Sequence, residues 1–150
     1  MKSTALALAA LLSVSALTAC GSGTPDSLRP NPPSGGTVQR MVDDYADMYG
    51  VPRTLAHRVV QRESGYNPAA RNGQYYGLMQ IAPPTARTMG YAGAPEGLLD
   101  AATNLKYAVK YLRGAWLVSD GSEDAAVGWY SRGYYYEAKK RGLLKEAGLR

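Results

Sequence analysis

The chain has 150 residues, enough for one domain with a core, and carries 17 Lys and Arg against 12 Asp and Glu, a formal charge of +5. It holds twelve Tyr and no Phe, with one Cys (Cys20) and one His (His57). A single Cys excludes an internal disulfide, and with a single His it leaves no Cys/His metal cluster and no thiol–His catalytic pair, so no metal and no cofactor is expected.

The first element is an address. Lys2 is followed by small and apolar residues ending in "LTAC", too short and too loosely hydrophobic for a good membrane span, which is the grammar of an export signal over residues 1–19. Leu17, Thr18, Ala19 and Cys20 resemble the lipobox of bacterial lipoproteins, in which the Cys thiol receives a lipid and becomes the mature N-terminus. The resemblance implies lipidation at Cys20 and a lipid anchor in the cell envelope. Gly21, rather than Asp, after the Cys is compatible with passage to the outer membrane where the cell has two membranes. Residues 20–36, rich in Gly, Ser and Pro, form a tether with almost nothing to bury, and the folded domain is expected over 37–150. The basic balance suits an anionic polymer. An exported chain does not normally meet nucleic acid, whereas the peptide-bearing glycan of the cell wall is acidic and close by.

From Thr37 onward the pattern is helical. "TVQRMVDDYADMYG" places Val38, Met41, Val42, Tyr45, Met48 and Tyr49 on one face and stops at Gly50. Pro52 opens a second helix with Leu55, Ala56, Val59 and Val60 at helical spacing, ended by Gly65 and Asn67-Pro68. Asn72-Gly73 is a turn signal, and "GLMQI" (77–81) reads as a short apolar piece in extended form. A helix from Pro83 or Pro84 to Gly90 precedes a loop, "AGAPEGLL". Asp100 caps a central helix that presents Ala101, Leu105, Ala108, Leu112 and Trp116 on one side. Ser122 caps the next helix, and a basic helix from Tyr134 through Gly148 closes the chain. No stretch alternates as a strand does, so the fold class is all-α or mainly α.

Glu63 stands out because it lies four residues after Val59 on an apolar stripe, at a helix C-terminus. Burial and the negative end of the helix dipole both disfavour a charged carboxylate, which predicts an acid that keeps its proton near neutrality and can give it to a leaving oxygen. A structural Glu paired with Arg58 or Arg62 is the alternative that the helix alone leaves open.

The surrounding motifs weigh against that alternative. "ESGYNP", "GLMQIAPPTARTMGY", "NLKYAVKYL" and "AVGWYSRG" occur in this order, and together they resemble the catalytic domain of soluble lytic transglycosylases, relatives of goose-type lysozyme. The resemblance runs from about Val51 to Tyr135. It implies a compact lysozyme-like helical domain with a glycan-binding groove, and cleavage of peptidoglycan strands between N-acetylmuramic acid and N-acetylglucosamine. Position by position, it makes Glu63 the catalytic acid and base, Gln80 and Tyr130 groove residues beside it, and Ser64, Asn67 and Pro68 the turn that fixes its backbone. Ser64 and Asn72 are also expected to contact substrate, Asn72 standing where the family usually has Ser. Where the family usually has Asn-Ala-Gly after the Tyr, Ser131 and Arg132 stand before a matching Gly133, and Ala82 replaces a common Met.

No second carboxylate has a motif around it, unlike in glycosidases that work with a pair. One acid suffices if the substrate's N-acetyl oxygen stabilises the anomeric carbon and its C6 hydroxyl closes a 1,6-anhydro ring. A muramidase that admits water to the same bond, and a wall-binding lipoprotein without turnover, are the competing expectations.

Overall fold

The computed structural model describes residues 36–149, so the export segment over 1–19, the lipidation site Cys20 and the tether up to residue 35 lie outside the described residues. The first helix, α1 (Val38–Tyr49), starts where the Thr37 hydroxyl accepts the Arg40 N–H at 3.3 Å. It stops at Gly50, whose left-handed backbone returns its N–H to the Ala46 and Asp47 carbonyls. Helix α2 (Arg53–Ser64) follows Pro52 and buries Leu55, Ala56, Val59 and Val60 completely. Full burial of each larger aliphatic side chain contributes about 1.5–3 kcal/mol, so this four-residue stripe fixes which face of α2 turns inward and hence where Glu63 emerges.

Helix α4 (Ala101–Leu117) is the spine. Asp100 caps it by accepting the Thr103 N–H at 2.8 Å, and Leu105, Ala108, Val109, Leu112 and Ala115 are buried along its length. It packs against α1, against α3 (Pro83–Thr88), against the 3-10 turn Pro95–Leu99 and against α5 (Glu123–Arg132). Ser122 caps α5 as its hydroxyl chemistry predicts, accepting the Ala125 N–H. Among the described residues the only strands are β1 (Arg71–Asn72) and β2 (Tyr75–Tyr76), an antiparallel pair in the register Arg71 to Tyr76 and Asn72 to Tyr75 around the predicted Asn72-Gly73 turn. A mainly α domain is the result.

Three expectations fail locally. "GLMQI" is not extended: residues 77–80 form a tight turn closed by Tyr76 and Ile81, which exchange backbone hydrogen bonds at 3.2 Å. The loop "AGAPEGLL" contains a 3-10 helix that tucks Leu98 into the core. The closing basic helix is only α6 (Tyr135–Lys140), because Gly142 takes a left-handed conformation and the rest proceeds through turns.

Candidate active site

The last turn of α2 delivers Glu63, and the chain then leaves sharply. Gly65 and Tyr66 both have positive φ, 58° and 65°. A non-glycine residue in that region needs outside support, and Tyr66 has it: its hydroxyl lies 2.6 Å from His57 Nδ1, while His57 Nε2 lies 2.9 Å from Asp43 Oδ1 on α1. Asn67 then accepts the Ala69 N–H at 3.0 Å, a local side-chain turn that sends the chain into β1.

The 77–80 turn forms the floor beside Glu63, and three helices hold its backbone. Ser64 of α2 donates to the Leu78 carbonyl at 2.7 Å, and Tyr130 of α5 donates to the Met79 carbonyl at 2.8 Å. Asn104 of α4 accepts the Met79 N–H at 3.0 Å and donates to the Tyr76 and Leu98 carbonyls, both at 2.8 Å. A turn buried without such partners would leave several backbone groups unpaired, each a substantial cost. Gly77 is required twice over here: its φ is 72°, and a Cβ would collide with the Leu98 carbonyl and the Asn104 side chain. The clamp lets Gln80 hold φ 48° and donate its amide to the Ala70 and Gly77 carbonyls, which leaves its side-chain oxygen for the cleft.

Glu63, Gln80, Tyr130 and Asn72 come together around a cleft of about 470 Å³, joined by Arg62, Tyr75 and Ser131. A second cavity of about 390 Å³ continues from it, sharing Tyr75, Gln80, Tyr130 and Ser131 and adding Ala82, Tyr111 and Arg132 among others. The two departures at 82 and 132 thus fall in the extension and not beside Glu63. Among the described residues, Glu63 is the only carboxylate lining either cavity. Asp43, Asp47, Asp120, Asp124 and Glu137 are instead engaged with His57, Arg53, Arg141 or Arg58.

Two site expectations change. Ser64 does not line the cleft; its hydroxyl is spent on the Leu78 carbonyl, so its part is to join α2 to the turn. Glu63 is not an isolated acid in an apolar pocket. Its side chain keeps 22% of its surface, and Arg62 donates to its Oε1 through both Nε, at 2.9 Å, and Nη2. The pairing held open from the sequence is present, because consecutive residues at a helix end can fold toward each other where the next turn of helix is missing. Tyr130 borders the cleft with its ring, as a groove residue should, while its hydroxyl points to Met79. Burial, and after it the nearby Glu63 charge, push the Tyr130 phenol well above the usual tyrosine value, so it stays a hydrogen-bond donor.

Asn104 was missed as a contributor, and Arg62 was expected only as an ion-pair partner of Glu63. A buried Asn one turn before Ala108 on the apolar stripe of α4 was the legible signal, the same kind of misfit that drew notice to Glu63. The family model described as transglycosylase SLT domain matches residues 40–146, which takes in every described element that shapes the cleft. No solved structure matches the chain.

Proposed function

The chain belongs to the transglycosylase SLT domain family, whose members degrade peptidoglycan, and on that footing we propose that it is a lytic transglycosylase. The bond cleaved lies between N-acetylmuramic acid and N-acetylglucosamine, and the product carries a 1,6-anhydro-muramic end. The observation that carries this reading is the cleft in which Glu63 is the sole carboxylate among the described residues. A pair of carboxylates across the scissile bond is the usual arrangement for hydrolysis, and a lone one needs the substrate to take the second role.

Glu63 gives a proton to the departing glycosidic oxygen while the substrate's N-acetyl oxygen stabilises the positive anomeric carbon. As a carboxylate it then takes the proton of the muramic C6 hydroxyl, which closes on that carbon, so the proton count is restored without water. Both Arg62 contacts fall on Oε1, which leaves Oε2 as the oxygen that faces the sugar. Gln80 and the Tyr130 ring line the wall against which the reacting sugar sits.

Mass spectrometry of digested peptidoglycan tests the proposal. Anhydro ends are expected, and Glu63→Gln should abolish them, a loss of at least about a hundredfold for removal of a general acid and base. Reducing ends would identify a hydrolytic muramidase in its place, and intact strands a wall-binding protein without turnover.

A further inference from the structure

Arg62 is bound on two sides. Its Nη2 donates to Glu63 Oε1 and also to Ser131 Oγ at 2.7 Å, and Ser131 in turn donates to the Val127 carbonyl at 3.1 Å. One guanidinium thereby links the end of α2 to the end of α5 across the cleft, and it does so through Ser131, a position where the chain departs from its family's usual Asn. Arg53, Arg58 and Arg141 each have carboxylates elsewhere on the surface, whereas Glu63 is the carboxylate of Arg62.

That pair is incompatible with the working form of the acid. A protonated Glu63 carries no charge, so at the moment it is ready to act the guanidinium beside it has lost its counter-ion. The remaining groups on the cleft wall, Asn72, Tyr75, Gln80, Tyr130 and Ser131, are neutral, and Arg132 next along α5 is a further cation stacked 3.9 Å over the Trp129 ring. The natural replacement comes with the substrate. Muramic acid bears a lactyl carboxyl group, free or extended by an acidic peptide, and a guanidinium fork is well shaped for a carboxylate.

We infer that Arg62 is a specificity-determining residue that exchanges Glu63 for a carboxylate of the bound glycan, so that an anionic substrate releases the acid that cleaves it. The inference rests on the proposed reaction. It makes the enzyme selective for charged over neutral β-1,4-linked amino sugars, and it assigns that selectivity to the Arg62–Ser131 bridge.

The test is binding, measured calorimetrically with the full chain, of three soluble glycans: one bearing peptides, one stripped of peptides so that the lactyl carboxylate is free, and one stripped and capped as neutral amides. Glu63→Gln removes the internal counter-charge and leaves the Arg62 cation available to another anion. It should bind carboxylate-bearing glycan about fivefold more tightly than the Glu63→Gln/Arg62→Gln double variant, the upper end for a half-exposed ion pair. The two proteins should not differ on the capped glycan, and Glu63→Gln/Arg62→Lys should recover part of the gain. A gain with stripped glycan identifies the lactyl group as the partner, and a gain with peptide-bearing glycan alone identifies the peptide. Equal ratios on all three glycans overturn the inference. If wild-type protein nevertheless forms anhydro ends, only the inference falls; if Arg62 discriminates charge but no strand is cut, only the proposed reaction falls.

Discussion

The two ends of α4 treat buried polarity in opposite ways. Near its start, Asn104 is fully buried and makes three hydrogen bonds to the backbone around the 77–80 turn. Near its finish, Tyr134 from the segment before α6 is 1% exposed, lies against Gly114, and has a hydroxyl with no hydrogen-bond partner among the described residues. The difference teaches where the fold needs polar atoms. At the cleft end, irregular backbone is buried and its N–H and C=O groups need partners that no ladder supplies. At the far end the ring packs against Tyr111 and Gly114, whose backbone belongs to the regular helix α4, so the ring is there to fill space.

The hardest way to break that comparison is Asn104→Ala. It leaves the Met79 N–H and the Leu98 carbonyl without their Asn104 partner and strips the Tyr76 carbonyl of one of its two donors, the Ile81 N–H remaining, at a cost of about 3–5 kcal/mol once cavity and unsatisfied groups are combined. Urea denaturation should show that loss, and glycan cleavage should fall further than stability alone dictates, because Gln80 and the Met79 carbonyl shift together. A loss below about 1 kcal/mol would mean the turn holds itself and the clamp is incidental.

Ser64→Ala separates the structure's assignment from the one expected from sequence. If the hydroxyl's task is the Leu78 carbonyl, the variant loses about 1 kcal/mol of stability with KM unchanged, since a single net hydrogen bond disappears and no sugar contact does. A raised KM with unchanged stability would restore Ser64 to the substrate-binding surface.

How much of this was legible follows from where each determinant lies along the chain. Asp100 and Ser122 cap their helices by local chemistry, so both starts could be written down from the residues alone. The Asn72-Gly73 turn and the Gly50 stop are equally local. "GLMQI" misled because a short apolar run is the same for a strand and for a buried turn. Its conformation is imposed by Ser64, Asn104 and Tyr130, which come from three different helices. Glu63 was found because an acid on an apolar stripe is visible in one dimension. Its restraint was half visible: Arg62 is the preceding residue, but the group that completes the bridge, Ser131, stands 69 residues further on. A pairing of that range leaves no spacing pattern to read.

The mildest test lies at the far end of α4. Burial, and then the neighbouring Tyr111, push the Tyr134 phenol far above its ordinary value, so it is a neutral hydroxyl at any working pH and its burial cost does not vary with proton concentration. Tyr134→Phe keeps the ring that packs against Tyr111, with centroids 4.8 Å apart, and removes only the oxygen. Deleting an unsatisfied buried hydroxyl should raise stability by about 1 kcal/mol, with cleavage unchanged because the floor of the cleft is held from the other end. If the variant were instead destabilised by a similar amount, the oxygen must bond a trapped water, and polarity at the two ends of α4 would then serve the same purpose.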